Sequence, residues 1–301
     1  MKKKLLTSLL FAAACVSTLT VGAQTIAFAD QRAGWLEKAR TNMPELIRTE
    51  VKPQWIVCSE KDPEAFQGWK MVRTEPIDSL YHSSFKSRKE VIVDFGDHYT
   101  GYFTFRIDHT GMPADAPLRF RLTFAEVPAE LNTPFDPYPG GLSRAWLQDE
   151  VVTVMHLPDT VTLERRLACR YVKIELLAQS YYDFRISDMK LEAVSSASGE
   201  GRPLEPTVDP MIARINEIGL KTLKECMQTV YEDGPKRDQR LWIGDLYLES
   251  MANTYSFENH ALTRRCLYLL AALADEDGWL HATVYELPKP EPQINQHTMD
   301  Y

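Results

Sequence analysis

The hydrophobic period changes partway along the chain, and this change constrains the fold more than any other feature. From about residue 50 to 194 the pattern is that of strands. Val91-Ile92-Val93-Asp94-Phe95 reads as a buried strand ending at Gly96. Residues 102–107 alternate as a half-buried strand does, and Leu118, Phe120, Leu122 and Phe124 alternate with Arg119, Arg121 and Thr123. Residues 151–155, 161–163, 171–176 and 184–191 add further short strands. Short strands broken by Gly, Pro and Asp turns predict an antiparallel β-sandwich, with the Pro- and Gly-rich segment 132–141 as a long loop at one end.

Residues 195–206 are rich in Ser, Gly and Pro and read as a linker. Beyond them the period is helical. Ile212, Ile215, Gly219, Leu223, Met227 and Val230 fall on one face of a helix that starts near Asp209-Pro210, a good N-cap followed by a good first-turn residue. A second helix is predicted over about 246–257, with Leu248, Met251, Ala252 and Tyr255 on one face. A third is predicted over about 260–275, carrying Leu262, Cys266, Leu269, Leu270 and Leu273 and stopped by Gly278. Residues 279–293, with three prolines, read as a loop, and 294–301 as the opening of another helix that runs to the last residue. That ending leads us to expect a fragment of a longer helical domain.

Met1-Lys2-Lys3-Lys4, an apolar run to Val21 and then Gly22-Ala23 have the layout of a secretory signal, cleaved before Gln24. Acylation at Cys15 is the alternative, giving a lipid-anchored protein; otherwise the protein is periplasmic or extracellular. The expected parts are therefore a leader (1–23), a lead segment (24–49), the sandwich (50–194), the linker (195–206) and a helical domain (207–301). The formal net charge is −8, and losing the three leader lysines leaves 31 basic against 42 acidic side chains. Such a balance disfavours nucleic acid as a partner and suits neutral glycans. Cys58, Cys169, Cys226 and Cys266 are widely scattered and form no C-x-x-C, so free thiols are expected, three of them in regular elements. The seven histidines form no close pair, and neither a metal nor a cofactor is expected.

Between the first two helices lies Asp233-Gly-Pro-Lys-Arg-Asp-Gln-Arg-Leu-Trp-Ile-Gly-Asp245. Gly234, Pro235 and Gly244 break regular structure, so its three carboxylates, its basic side chains and Trp242 are expected on a loop. Carboxylates bind hydroxyls and move protons, an indole face stacks on a pyranose, and arginines orient or charge the carboxylates. Each residue also has a structural use. Asp233 could cap the loop, Asp245 could be the N-cap of the next helix, and Trp242 could be a core anchor. Arg237 and Arg240 could make ion pairs. Asp238 has the least obvious structural excuse.

The order of this segment closely resembles the catalytic loop of family 78 α-L-rhamnosidases, where Asp-Cys-Pro-x-Arg precedes an acid, then an aromatic residue and Gly-Asp. Asp94-Phe95-Gly96 with Gly101-Tyr102 resembles a strand turn of the sandwich that precedes the barrel in that family, and Arg170-Tyr171-Val172-Lys173-Ile174 resembles another of its strands. The resemblance spans about residues 50–301. It implies an antiparallel β-sandwich followed by the first hairpins of an incomplete (α/α)6 six-hairpin barrel. It also implies inverting hydrolysis of terminal α-L-rhamnosides by two carboxylates. Carried over by position, Asp238 falls at the general acid, one methylene shorter than the family's usual Glu, and the neighbouring Gln239 cannot serve. Asp233 and Asp245 match carboxylates that hold sugar hydroxyls, Trp242 an aromatic residue beside the rhamnose, and Arg237 an orienting group. Gly234 replaces the usual Cys, with little expected effect on chemistry.

The family's general base lies farther along the barrel than these residues reach. Neither Glu286 nor Glu291 is assigned to it. A hairpin with its loops takes roughly 40–60 residues, so 207–301 supply about two hairpins or fewer. Three readings follow: the N-terminal part of a rhamnosidase, inactive by itself; a non-catalytic carbohydrate-binding or remnant protein; or a six-hairpin enzyme acting on another sugar.

Overall fold

The computed structural model describes residues 26–205, 208–286 and 289–292. The leader with Cys15, the cleavage point before Gln24 and the helix expected over 294–301 lie outside the described residues.

A single helix comes first, α1 (Ala29–Thr41), followed by β1 (Ile47–Val51), β2 (Trp55–Lys61), β3 (Trp69–Pro76) and the one-turn α2 (Asp78–Tyr81). Then come β4 (Glu90–His109), β5 (Leu118–Ala125), the short α3 (Pro128–Asn132), β6 (Asp149–Val154), β7 (Asp159–Thr162), β8 (Leu167–Ala178) and β9 (Phe184–Ser195). Every pairing among these strands is antiparallel, in the order β1-β9-β4-β8-β5-β6, with β2 and β3 joined through β4 and β7 on its far half. This is the mainly antiparallel β domain that the alternation predicted.

The two strands expected on either side of Gly96 are one strand, β4. Its first half pairs with β2 and β8 and its second with β9, and the register shifts between Asp94 and Tyr99. Two family-like residues explain themselves here. Asp94 is buried and accepts two hydrogen bonds from Arg170, Nε to Oδ1 at 2.9 Å and Nη2 to Oδ2 at 3.0 Å, while also accepting from the Gly96 amide at 2.8 Å. Gly101 lies so close to β9 that a Cβ would stand 2.0 Å from the Glu192 carbonyl oxygen.

The sandwich core is aromatic. Phe85, Phe103, Phe105, Phe120, Phe124 and Phe184 are fully buried, with the Phe103–Phe124 pair edge-to-face at 5.4 Å and Phe105–Phe120 at 6.0 Å. Each such side chain contributes about 2–3 kcal/mol by leaving water.

The helical region comprises α4 (Pro210–Cys226), the two-residue β10 (Leu241–Trp242), α5 (Ile243–Tyr255), α6 (His260–Ala272), β11 (Thr283–Tyr285) and β12 (Glu291–Pro292). Asp209 caps α4, its carboxylate accepting from the Met211 amide at 2.8 Å, as predicted. Leu223 is buried as expected, but Ile212 and Ile215 on the same face are exposed; α4 ends at Cys226, so Met227 and Val230 are buried in the turn beyond it and not on its face. On α5 the expected apolar face is turned outward; Leu246 and Asn253 are buried instead. α6 buries Leu262, Cys266, Leu269 and Leu270 as expected. The stretch read as a loop after Gly278 contains β11, which pairs with Leu241 and Trp242, and β12, which pairs with β11; two-residue pairings leave no periodic signal.

The lead segment belongs to this second core. α1 lies along α6, Ala39 is buried there, and Arg265 donates to the Ala39 carbonyl at 2.8 Å. Residues 195–197, at the start of the linker, are buried at the junction of the two regions. The Ser196 amide donates to the Met227 carbonyl at 2.7 Å. Cys58, Cys169, Cys226 and Cys266 are free thiols, and all but Cys58 are buried.

Candidate active site

Asp233 organises the loop. Its amide donates to the Arg240 carbonyl at 3.1 Å, and its carboxylate accepts the amides of Asp238 at 3.1 Å and Arg240 at 3.2 Å. Gln239 takes a left-handed backbone (φ 61°), and its side-chain amide donates to the Pro235 carbonyl at 2.6 Å. The turn is tight at Gly234, where a Cβ would stand 2.5 Å from the Arg237 carbonyl oxygen. A Cys there, as in the resembled family, would require this turn to open. After the turn, Leu241 and Trp242 pair with Val284 and Thr283, and the Ile243 amide donates to the Ala282 carbonyl at 2.9 Å. The loop thus leads directly into α5.

Of the sequence-predicted residues, Asp233 and Asp238 meet through the Asp238 amide. The Asp238 side chain is 19% exposed, with the Arg237 Nε 3.5 Å from its Oδ1, while Arg237 is 42% exposed. Arg237 is therefore a loose ion-pair partner at the loop tip. Arg240 lies over the Tyr285 ring, 4.1 Å from its centroid, and so serves packing. Trp242 is half-buried and occupies the N-cap position of α5. Asp245 is not that N-cap: it lies exposed in the first helical turn, where the helix dipole favours its charge.

Two carboxylates escaped the sequence reading. Glu232 is buried, and burial raises its pKa to about 7 despite an ion pair with Arg166 of the sandwich; Glu286 and Asp233 push the same way as burial. Glu249 is raised to about 8, by burial first and then by the charges of Asp245, Asp233 and Glu232. Asp233 is also raised, again chiefly by burial. The i,i+4 spacing of Asp245 and Glu249 on α5 was the available signal. Glu286, left unassigned, accepts hydrogen bonds from Arg265 and Thr229 and is held at the edge of the same group.

Beside the loop and on α5, Glu232, Asp233 and Glu249 thus gather as carboxyls whose pKa values burial raises. A protonated carboxyl can donate and an ionised one can accept, which is the requirement for gripping hydroxyls and moving a proton. Among the described residues, no group of three or more His, Cys, Asp or Glu side chains is arranged to hold a metal ion.

The comparisons with known proteins point the same way. The glycosyl hydrolase family 78 α-rhamnosidase N-terminal domain matches residues 53–193, and the bacterial α-L-rhamnosidase six-hairpin glycosidase domain matches 206–298. The structure is similar to a rhamnosidase from Klebsiella oxytoca with rhamnose bound, with a TM-score of 0.83 and 38% identity over 87% of this chain. The match covers 51% of the Klebsiella chain, so this chain spans about half its length. An α-L-rhamnosidase from Dictyoglumus thermophilum shares the fold at 17% identity and a TM-score of 0.52, over 80% of this chain and 23% of that one. The α-L-rhamnosidase of Streptomyces avermitilis complexed with L-rhamnose does so at 17% identity and 0.50, over 80% and 20%. Comparison with curated protein sequences gives no match. The two domain matches in sequence order, with the Klebsiella likeness across both, identify this chain as a member of the family 78 α-L-rhamnosidase-like glycoside hydrolases.

Proposed function

We propose that the chain carries the acid side of an inverting α-L-rhamnosidase site, with Asp238 as proton donor to the leaving glycosidic oxygen. The observation that carries this reading is the placement of Asp238. The order of the loop residues carries the family's acid position over to it, and its side chain is mostly shielded from water on a loop that Asp233 closes from within. Asp233 and Asp245 grip sugar hydroxyls, Trp242 offers an aromatic surface, and Arg237 orients the acid. In an inverting reaction a second carboxylate activates water on the opposite face of the sugar. We assign that base to later hairpins of a six-hairpin barrel, whose helices would cover the exposed apolar faces of α4 and α5. The 301-residue chain alone is then inactive. The protein is exported, with its leader cleaved before Gln24, and no described helix is long and apolar enough to cross a membrane.

The test is a chimaera in which residues 26–292 replace the matching half of the Klebsiella rhamnosidase, assayed beside the 301-residue chain on an aryl α-L-rhamnoside. The chimaera should release β-L-rhamnose first, seen by proton NMR, and the chain alone should release none. Release of the α-anomer first would contradict inversion, and turnover by the chain alone would place the base within it.

A non-catalytic sugar-binding role is the second reading. It is favoured by a polar cleft of about 500 Å³ on the sandwich, lined by Arg121, Asp149, Lys173, Glu175 and the 132–136 segment. Calorimetric binding of rhamnosides lost on Arg121→Ala, with no cleavage by the chimaera, would select it.

A further inference from the structure

One loop side chain that reaches the sandwich has a use the mechanism does not explain. Lys236 lies two residues before Asp238 and is three-quarters buried, 25% exposed. Its Nζ donates to Glu126 Oε2 at 2.9 Å, and to Glu130; both carboxylates belong to the end of β5 and the adjoining α3 turn. Neither acceptor is loose. Glu130 also accepts the Glu126 amide at 2.7 Å, and Glu126 Oε1 lies 3.0 Å from His98 Nε2. His98 in turn holds Glu225 of α4, Nδ1 to Oε2 at 2.6 Å, and Thr100 donates to the same oxygen at 2.9 Å.

We propose that the sandwich sets the position of Asp238 by clamping Lys236 between Glu126 and Glu130, with His98 and Glu225 tying that clamp back to α4. Lys236, Glu126 and Glu130 are then positioning residues for the loop. The role of the position they hold rests on the reading of Asp238 as the acid. Three points argue for a clamp over a mere domain contact. Two carboxylates converge on a single ammonium, which fixes a point where one pair would fix only a distance. Along the chain the clamp precedes Asp238 by two residues, and Arg240, which stacks on Tyr285, follows it by two. The charges also persist at neutral pH. Burial opposes the charge of Lys236, but Glu130 and Glu126 more than offset this and raise its pKa. Burial likewise opposes the imidazolium of His98, yet Glu126 and Glu225 raise its pKa to about 9. Charge-assisted hydrogen bonds of this kind are the strong ones.

The experiment is amide hydrogen exchange on the 301-residue chain bearing Lys236→Met. Each carboxylate keeps another partner in that variant, Glu126 with His98 and Glu130 with the Glu126 amide. The domain junction should therefore persist. The amides of Asp238 and Arg240, which Asp233 accepts, should exchange about tenfold faster. The Ser196 amide, at the junction, should keep its rate, and Lys236→Arg should restore the loop. Unchanged exchange at Asp238 and Arg240 would overturn the clamp, as would equal acceleration at Ser196. Asp238→Asn leaves both amides in place, so the acid reading is tested on cleavage and the clamp on exchange, and either can fail alone.

Discussion

The two regions use apolar residues in opposite ways. The sandwich buries Phe103, Phe105 and Phe120 completely, and on β5 Arg119 and Arg121 alternate outward between buried apolar residues. In the helical region α4 shows Ile212 and Ile215 to solvent at 55% and 61% exposure, and α5 shows Leu248 and Tyr255 at 63% and 75%. The partly buried Glu249 lies instead on the inner side of α5, with Leu246 and Asn253. The sandwich sorts its residues mainly by polarity, with Asp94 a buried exception held by Arg170. The helical region instead leaves apolar side chains of α4 and α5 exposed while burying Leu246 and Asn253.

That contrast can be tested by substitution. Phe120→Ala should cost about 4 kcal/mol by urea unfolding, since it leaves a cavity among rings at 6.0 Å from Phe105, Phe120 itself being fully buried. A loss below about 1 kcal/mol would mean the sandwich is not the stable partner. Arg170→Met should cost about 2–3 kcal/mol, because it strands the buried Asp94 carboxylate.

A pH profile sharpens the comparison at intermediate size. The pKa of Glu249 rises from 4.5 to about 8 on folding. The folded chain holds a proton there that the unfolded chain releases, so stability falls as pH rises through that window. Glu249→Gln should therefore stabilise the protein by on the order of 2 kcal/mol above pH 8 and flatten the fall. His98 acts in the same direction: its contribution is fully present below 6.5 and lost as pH rises through about 9. A thermal midpoint indifferent to pH between 5 and 9 would contradict both assignments. Smallest of all, Ile215→Ala should change stability by less than about 0.5 kcal/mol, the side chain being already 61% exposed. A cost equal to that of Phe120→Ala would erase the distinction between the regions.

Legibility in the sequence follows the same divide. The alternation at Leu118, Phe120, Leu122 and Phe124 reads directly as a strand because one face is buried, and all four are. The cap at Asp209 is local chemistry and was equally readable. The face of α5 was read backwards, because its apolar residues mark an uncovered side rather than the core of this chain. α1 escaped notice because its packing on α6 uses Ala39 and backbone contacts rather than an apolar stripe. At the candidate site, Asp233, Asp238 and Trp242 could be nominated by order and spacing. Glu126 and Glu130 could not, since the fold brings them to Lys236 from 110 and 106 residues away, nor could His98, which joins them through Glu126.

The central claim is that Asp238 protonates the leaving oxygen from this loop. In the Klebsiella chimaera, Asp238→Asn keeps the side-chain shape and removes the proton, so the direct measurement is kcat on a natural rhamnoside and on an activated aryl rhamnoside. The natural substrate should lose about 10²–10⁴-fold and the activated one far less, because a good leaving group needs little protonation. Natural rhamnoside cleaved at the unsubstituted rate would contradict the account.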